Sequence, residues 1–149
     1  MIGVLVRLQW MQLKGRVVRS IRLLRQPKYL VGFIVGAGWK PGFSSDYDAV
    51  ALAKRIKAKR IINLSNTDYV YSDDPKKDPK AKRHERMTWK EYLGVIGDHW
   101  VPGRNSPFDP VAAKLCAKER LEVAVVSGED LTNVERALRG ADFKGTLIR

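Results

Sequence analysis

Short apolar runs alternate along the chain with segments in which apolar residues recur at helical spacing. The apolar runs are rich in β-branched residues and end at glycines or small polar residues, as buried strands do. They predict four strands, at Leu30–Val35, Ile61–Leu64, Leu121–Val126 and Thr146–Ile148.

Four segments with helical spacing carry recognisable start or stop signals. The first has Ala49, Val50, Ala53 and Ile56 on its apolar face. The signals are Asp46 as the N-cap of the first helix, a Thr88–Glu91 capping box before the second, the Asp109-Pro110 pair opening the third, and Gly140 after the fourth at Leu131–Leu138.

Strands separated by helices indicate an α/β fold with a mostly parallel sheet that is covered on both faces. Asp73–Arg86 is predicted to be a charged loop. With 149 residues the chain can form one ordinary core but not two comfortable domains.

The net charge of +12 is concentrated near the start of the chain. Residues 1–29 carry +7 and residues 30–149 carry +5. Arginines recur every third residue over 16–25, beside apolar residues at helical spacing, which predicts a basic amphipathic helix. We therefore predict a basic segment of undefined structure over 1–29 and an α/β body over 30–149. A non-enzymatic protein that binds nucleic acid through residues 1–29 is one interpretation of this charge.

Features of membrane and secreted proteins are not found in the sequence. The longest apolar stretch, Tyr29–Trp39, is too short to span a bilayer, and we see no signal-peptide pattern. Cys116 is the only cysteine, which excludes an internal disulfide and fits a cytoplasmic location. His84 and His99 lie far apart without further ligands, so we predict no metal site formed by side chains.

A first candidate site begins where the second predicted strand ends. The small polar residues Ser65–Asp68 favour a turn, and Tyr71 and Asp74 follow them. An aromatic ring offers a π-face to a base, and a carboxylate can accept hydrogen bonds from ribose hydroxyls. These residue types suit a nucleoside, although an ordinary polar loop has the same composition.

A second candidate site lies between the first predicted strand and the first predicted helix. Glycines there let the backbone approach a ligand, and hydroxyls with free N–H groups at a helix start favour an anion. A capped turn in which Ser44 and Asp46 serve only the helix explains the same residues. The candidate residues are Lys40, Pro41, Gly42, Phe43, Ser44 and Ser45.

The first site resembles the ATP-side loop of uridylate (UMP) kinases, which belong to the amino-acid kinase superfamily. The pattern of that loop is Thr/Ser-Asn-x-Asp-Gly-Val-Tyr/Phe-x-x-Asp-Pro. Tyr69 departs from the pattern because the family has glycine there, and a positive φ at Tyr69 would imply strain. The matching residues are Ser65, Asn66, Asp68, Val70, Tyr71, Asp74 and Pro75.

The second site is similar to the family's UMP-contacting segment, Gly-x-x-Pro-Gly/Phe-x-Thr-Thr-Asp. Residues 40–45 fall on that segment, and Ser45 replaces the usual threonine while keeping its hydroxyl. Further matching segments follow in the family's order, at 74–83, 106–113 and 127–148. The resemblance therefore covers about residues 31–149.

The resemblance implies a three-layer αβα sandwich and the reaction of ATP and UMP to give ADP and UDP, with Mg2+ accompanying ATP. In that reaction Ser65, Asn66, Tyr71 and Asp74 would bind ATP, and Lys40–Ser45 would bind UMP. The family is hexameric, so a complete protein is expected to be a homo-oligomer. A superfamily kinase acting on an amino acid or a carbamate is the alternative, but the Pro-Gly-x-Ser-Ser-Asp loop favours UMP.

Two parts of the family pattern are not found in residues 1–30. One is a glycine-rich loop with a lysine near the transferred phosphate, and the other is a Gly-Gly segment that helps to hold the acceptor phosphate. Lys14-Gly15 is the nearest candidate, but no Gly-Gly-Ser follows it. Phosphoryl transfer depends on positioning and charge stabilisation. We therefore expect an incomplete domain that is inactive alone, and the catalytic residues remain unassigned.

Overall fold

The computed structural model describes the backbone of residues 3–6 and all atoms of residues 42–97 and 106–149. The predicted strand at 30–35, the predicted helix at 16–25, Lys40, Pro41 and His99 lie outside the described residues. In chain order the elements are β1 Gly3–Val6, α1 Ser45–Ile56, β2 Arg60–Ser65, β3 Val70–Tyr71, β4 Arg83–His84, β5 Arg86–Met87, α2 Trp89–Ile96, α3 Pro110–Glu119, β6 Glu122–Ser127, α4 Leu131–Arg139 and β7 Thr146–Ile148.

Five strands form one sheet in the order β1-β2-β6-β7-β5. The β1–β2, β2–β6 and β5–β7 pairs are parallel, and the β6–β7 pair is antiparallel. The prediction of a mostly parallel sheet is therefore confirmed. β3 and β4 form a separate antiparallel hairpin, in which Val70 faces His84.

Helices cover both faces of the sheet. Successive residues of a strand point to opposite faces, so the neighbours of each strand residue show which helices lie on its side. Ile61 of β2 and Val123 of β6 lie in one buried cluster with side chains of α1, α2 and α3. Ile62 and Ala124, their next neighbours, lie in a second cluster with side chains of α4. The molecule is thus the three-layer αβα sandwich that the sequence predicted.

The four helices predicted within the described residues are all present, and their start or stop signals act as expected in three of them. Thr88 and Glu91 form a complete capping box, Asp109 caps α3 ahead of Pro110, and Gly140 ends α4 in the left-handed conformation. The prediction that Asp46 caps the first helix was wrong. α1 is capped by Ser44, whose hydroxyl accepts the Tyr47 N–H at 3.1 Å, and Asp46 lies inside its first turn.

Four short strands were not predicted from the sequence. β1 lies within the basic segment 1–29, and β4 lies within the predicted charged loop at 73–86. Three of the four, β3, β4 and β5, have two residues each, which is too short for a two-residue period to be recognised. Only their pairing partners define them.

Candidate functional site

The carboxyl ends of two central parallel strands meet at one edge of the sheet. Ser65, the last residue of β2, pairs with Ser127, the last residue of β6. The Gly128 N–H donates to the Ser65 carbonyl at 3.0 Å, so the chains leave both strands side by side. In open α/β sheets this edge is where ligands bind.

The starts of α1 and α3 are joined at the same edge. The Asp46 carboxylate Oδ2 accepts the Asp109 N–H at 2.8 Å. The buried Asn63 of β2 donates from its amide to the Pro107 carbonyl, just before α3. These contacts bring the N-termini of both helices towards the end of β2.

The Asp46 carboxyl is largely removed from water, and this burial raises its pKa to about 6. The hydrogen bond from the Asp109 N–H lowers the pKa, and the nearby Asp109 carboxylate raises it. Burial has the largest effect, and it raises the pKa because it penalises the charged form of the carboxyl. Asp46 therefore gains a proton at a higher pH than an ordinary aspartate does.

The described part of the predicted UMP segment forms the entry to α1. Gly42 has a φ of 91°, a left-handed conformation that favours glycine, whereas the space around it is open. Phe43 is 43% exposed and stacks on Tyr47 with the ring centroids 4.5 Å apart. Ser44 uses its hydroxyl as the helix cap, and Ser45 is the first helical residue. Ser44 therefore has the helix-capping role that the sequence offered as an alternative to ligand binding.

The predicted ATP segment leaves β2 as a tight polar turn. The Ser65 hydroxyl lies 3.2 Å from the Thr67 hydroxyl and accepts the Thr67 N–H at 3.3 Å. Asn66 at the turn is exposed. Tyr69 is buried, and its φ is not positive, because Lys57 and Arg120 are the non-glycine residues with positive φ in the described chain. The strain expected at Tyr69 is therefore not found.

Tyr71 stands on the hairpin beside a second aromatic ring. The Tyr69 and Tyr71 rings make an edge contact with centroids 6.4 Å apart. The Arg83 guanidinium lies 5.1 Å from the centroid of the Tyr69 ring, a favourable cation–π geometry. Tyr71 is half-buried.

Asp74 begins the first of two similar turns in the loop between β3 and β4. Its carboxylate accepts the Lys76 N–H at 3.0 Å, and Asp78 accepts the Lys80 N–H in the same way at 2.9 Å. Each aspartate is followed by proline. Asp74 is exposed, so its carboxylate is accessible to a ligand while the turn fixes its position.

Two residues near the end of the chain contact the predicted ATP segment and were not recognised as part of the site. Lys144 forms an ion pair of 2.7 Å with Asp68, and this contact raises the pKa of Lys144. The Thr146 hydroxyl accepts the Val70 N–H at 2.9 Å and donates to the His84 carbonyl. Because these partners are 62 and 76 residues away from Thr146 along the chain, local sequence pattern carries no signal for the contacts.

A polar pocket of about 320 Å3 lies beside Lys144. Asp130, Asn133, Arg136 and Asp142 are among its lining residues, and none of the predicted site residues lines it. Lys144, which also lines this pocket, connects it to the predicted ATP segment through its ion pair with Asp68.

Within residues 42–97 and 106–149, no three His, Cys, Asp or Glu side chains form a group that could hold a metal ion. Cys116 is buried in α3, and burial raises the pKa of its thiol to about 12. A thiol with that pKa is not a nucleophile near neutral pH. No helix among the described residues is both long enough and apolar enough to cross a membrane.

Comparison with known proteins shows the family to which the chain belongs. A model of the amino acid kinase family matches residues 16–127. The chain belongs to the amino acid kinase family. The match starts inside the basic segment 1–29, whereas the motif resemblance starts at about residue 31. The boundary near residue 30 stays a prediction.

Similar proteins are named as uridylate kinases. The uridylate kinase of Methanospirillum hungatei is 40% identical over 116 residues, which are 77% of this chain and 49% of that protein. The uridylate kinase of Methanocorpusculum labreanum is 34% identical over an equal share of both. This chain thus spans about half the length of the curated relatives that it matches.

Solved structures of two kinases share the fold. Uridylate kinase from Archaeoglobus fulgidus superposes with a TM-score of 0.64 and 33% identity, over 75% of this chain and 50% of that one. UMP kinase from Bacillus anthracis superposes with a TM-score of 0.63 at 22% identity, over 74% and 42%. The kinase family and the fold predicted from the motifs are therefore confirmed.

Proposed function

We propose that the chain forms the nucleotide-binding part of a UMP kinase-like phosphotransferase, which converts ATP and UMP to ADP and UDP in pyrimidine nucleotide synthesis. The observation that carries the proposal is the Ser65–Asp74 segment at the carboxyl ends of β2 and β6. It combines the family's residue pattern with a half-buried tyrosine and an exposed carboxylate.

The proposed roles on the ATP side follow from side-chain chemistry. Tyr71 offers its ring face to adenine, and Asp74 accepts hydrogen bonds from ribose hydroxyls. Ser65 and Asn66, in the turn that leads from β2 towards Tyr71, supply hydroxyl and amide groups. Mg2+ enters as MgATP, since this ion is usually held by substrate phosphates with few protein ligands.

The proposed roles on the UMP side belong to residues 40–45. The Gly42 backbone and the start of α1 present N–H groups, which together with the helix dipole favour a phosphate. Asp46 in the first turn opposes an anion when it is ionised, and its raised pKa reduces that opposition below about pH 6. Lys40 would supply the positive charge of the segment.

Binding of MgATP can be tested at Asp74 with a matched control. Asp74→Ala is expected to weaken the binding of MgATP by about 1.5–3 kcal/mol, the range for a hydrogen bond to a charged group. Asp78→Ala removes the same charge and the same kind of turn four residues later, and it should leave the affinity nearly unchanged. Titration calorimetry on the full chain measures both.

Equal weakening by the two variants would show that the charge of the loop, rather than Asp74, governs affinity. Equal affinity of the parent and Asp74→Ala would remove Asp74 from the site. A parent that binds neither MgATP nor UMP would contradict the proposed binding function of this chain.

The chain by itself is proposed to have no meaningful turnover, because the sequence lacks the family's phosphate-cradling lysine and Gly-Gly segment in residues 1–30. A coupled assay for UMP-dependent ADP formation is expected to stay at background. Production of ADP at ordinary kinase rates would overturn this part of the proposal. A hexameric assembly is proposed only for a protein that includes the remaining half of the family's length.

A further inference from the structure

A buried hydroxyl of β7 connects both strands of the β3–β4 hairpin to the main sheet. The next residue of β7 adds a backbone contact, in which the Leu147 N–H donates to the carbonyl of Glu85, directly after β4, at 2.9 Å. Thr146 Oγ1 accepts the Val70 N–H at 2.9 Å and donates its own proton to the His84 carbonyl. Val70 and His84 face each other across the hairpin. One side chain of β7 therefore bridges both strands of a hairpin that belongs to a different sheet.

The Thr146–Val70 side of this bridge is buried, whereas His84 is half-buried. Thr146 is 0% exposed and Val70 is 1% exposed. A buried N–H or carbonyl that loses its partner keeps its desolvation penalty, so the bridge is costly to remove. The hydroxyl satisfies one donor and one acceptor at the same time.

The position of the Thr146 hydroxyl is fixed by the sheet. Thr146 pairs with Val125 of the central strand β6. The preceding residue, Gly145, lies so close to β6 that a Cβ there would be 2.4 Å from the Val125 carbonyl. The backbone before the hydroxyl is thus closely packed against β6, and the strand pairing fixes the place of Thr146.

The hairpin needs such an anchor because its strands are very short. β3 and β4 have two residues each, and an isolated two-stranded hairpin is marginally stable in water. Tyr71 follows Val70 directly, and the loop that begins with Ser72 carries Asp74. The orientation of both predicted nucleotide-binding side chains therefore depends on where Val70 is held.

A second contact from the same part of the chain is weaker. Lys144 reaches Asp68 at 2.7 Å, but the two side chains are 57% and 39% exposed. Exposed ion pairs contribute little, since water and salt screen them. The buried hydroxyl is therefore a more effective attachment than this ion pair.

We infer that Thr146 is a positioning residue of the ATP side: its hydroxyl holds the β3–β4 hairpin so that Tyr71 and Asp74 face the nucleotide. The inference rests on the proposed ATP-binding role of this segment. Thr146 itself does not touch the nucleotide, and its effect passes through Val70 and His84.

The test compares Thr146→Val, which replaces the hydroxyl with a methyl group of similar size, with Thr146→Ser, which keeps the hydroxyl. Amide hydrogen exchange of the full chain is followed by NMR at Val70 and, as an internal reference, at Val125 in the central strand. The affinity for MgATP is measured by calorimetry. Thr132→Val, at an exposed threonine of α4, is the control for the substitution itself.

Thr146→Val is expected to speed exchange of the Val70 amide by about tenfold or more relative to the Val125 amide, as loss of one buried hydrogen bond predicts. The affinity for MgATP should fall by about five- to tenfold. Thr146→Ser and Thr132→Val should behave like the parent in both measurements. If Thr146→Val does not fold, Thr146→Ser and Thr146→Ala, which differ by the hydroxyl alone, give the same comparison.

Each alternative outcome separates the positioning role from the proposed function. Faster exchange at Val70 with unchanged affinity for MgATP would show that the anchor exists but that the hairpin does not bind ATP. Equal acceleration at Val70 and Val125 would indicate general destabilisation and contradict a positioning role. Unchanged exchange at Val70 would overturn the inference directly.

Discussion

Asp46 shows how one side chain links two helices. Its carboxylate lies in the first turn of α1 and accepts the N–H of Asp109, the residue that caps α3. The hydrogen bond favours the charged form, whereas burial and the neighbouring Asp109 carboxylate oppose it. Burial outweighs the hydrogen bond, and the pKa rises from 3.8 to about 6.

This raised pKa predicts a stability that falls as pH increases. Between about pH 4 and pH 6 the folded protein keeps the Asp46 proton while the unfolded chain releases it, so the stabilisation present below pH 4 is lost as pH rises through 6. One pKa unit corresponds to about 1.4 kcal/mol, so the whole effect is at most about 3 kcal/mol. Urea unfolding at several pH values measures it.

Asp46→Asn is the informative variant, because its amide oxygen can still accept the Asp109 N–H without titrating. The difference in unfolding free energy between the variant and the parent should grow in favour of the variant from pH 4 to pH 7. Asp142→Asn, at an exposed aspartate, should show a much smaller trend. Parallel stability curves for Asp46→Asn and the parent would contradict the buried-carboxylate account.

At the scale of elements, the connection between α4 and β7 positions the Thr146 hydroxyl that contacts the β3–β4 hairpin. The Asn133 amide donates to the Lys144 carbonyl at 2.7 Å, and the Lys144 N–H donates to the Asn133 side chain at 2.7 Å. Gly145 then passes close to β6, where only a residue without a side chain fits. The connection therefore delivers Thr146 to one defined place.

A pair of identical substitutions tests this close packing. Gly145→Ala would place a Cβ 2.4 Å from the Val125 carbonyl, and overpacking of this kind typically costs about 1–3 kcal/mol or more. Gly94→Ala, in the exposed face of α2 with no atom within 4 Å, should instead stabilise the protein by about 0.5–1 kcal/mol. Thermal unfolding should show a lower melting temperature for Gly145→Ala and a higher one for Gly94→Ala than for the parent.

The same direction of change in both variants would be inconsistent with the packing described for Gly145. An exchange measurement at Val70 adds a second control, since displacement of β7 by Gly145→Ala should also disturb the Thr146 bridge.

At the scale of the whole molecule, the positive charge is concentrated in two stretches of the sequence. Residues 1–29 carry +7, and four exposed lysines stand in the loop between β3 and β4. The first cluster dominates the net charge, and it is expected to attract polyanions whatever the native function is. The second cluster is interrupted by the two aspartates that form the loop's turns.

Two variants with equal loss of charge distinguish the clusters. Changing the four arginines at 16, 19, 22 and 25 to glutamine should lower affinity for duplex DNA of any sequence and reduce its dependence on salt. Changing the four lysines at 76, 77, 80 and 82 to glutamine should have a clearly smaller effect. Fluorescence anisotropy over a range of salt concentrations measures both.

A larger loss from the lysine variant would move the polyanion-binding surface to the hairpin loop. Strong preference of the parent for one DNA or RNA sequence at physiological salt would favour the nucleic-acid-binding interpretation over the kinase proposal.

The sequence by itself determined the elements that depend on neighbouring residues. β2, β6 and α4 follow from local periodicity. The starts of α2 and α3 follow from Thr88 and Asp109, and the end of α4 follows from Gly140, because capping and left-handed turns involve residues only a few positions apart. The order of two loop motifs was also sufficient to identify the family. The C-terminal ends of α1 and α3 were less visible in the sequence, since Lys57 and Arg120 adopt the left-handed conformation there without being glycine.

Only the tertiary structure decided which distant groups meet. The antiparallel pairing of β7 with β6, the pairing of β1 with β2, and the hydrogen bond from the Asp109 N–H to Asp46 each join parts of the chain far apart in sequence. The Thr146 bridge spans 76 residues to reach Val70. Such contacts form because buried polar groups need hydrogen-bond partners, and which partners they meet is set by how the layers pack rather than by any local pattern.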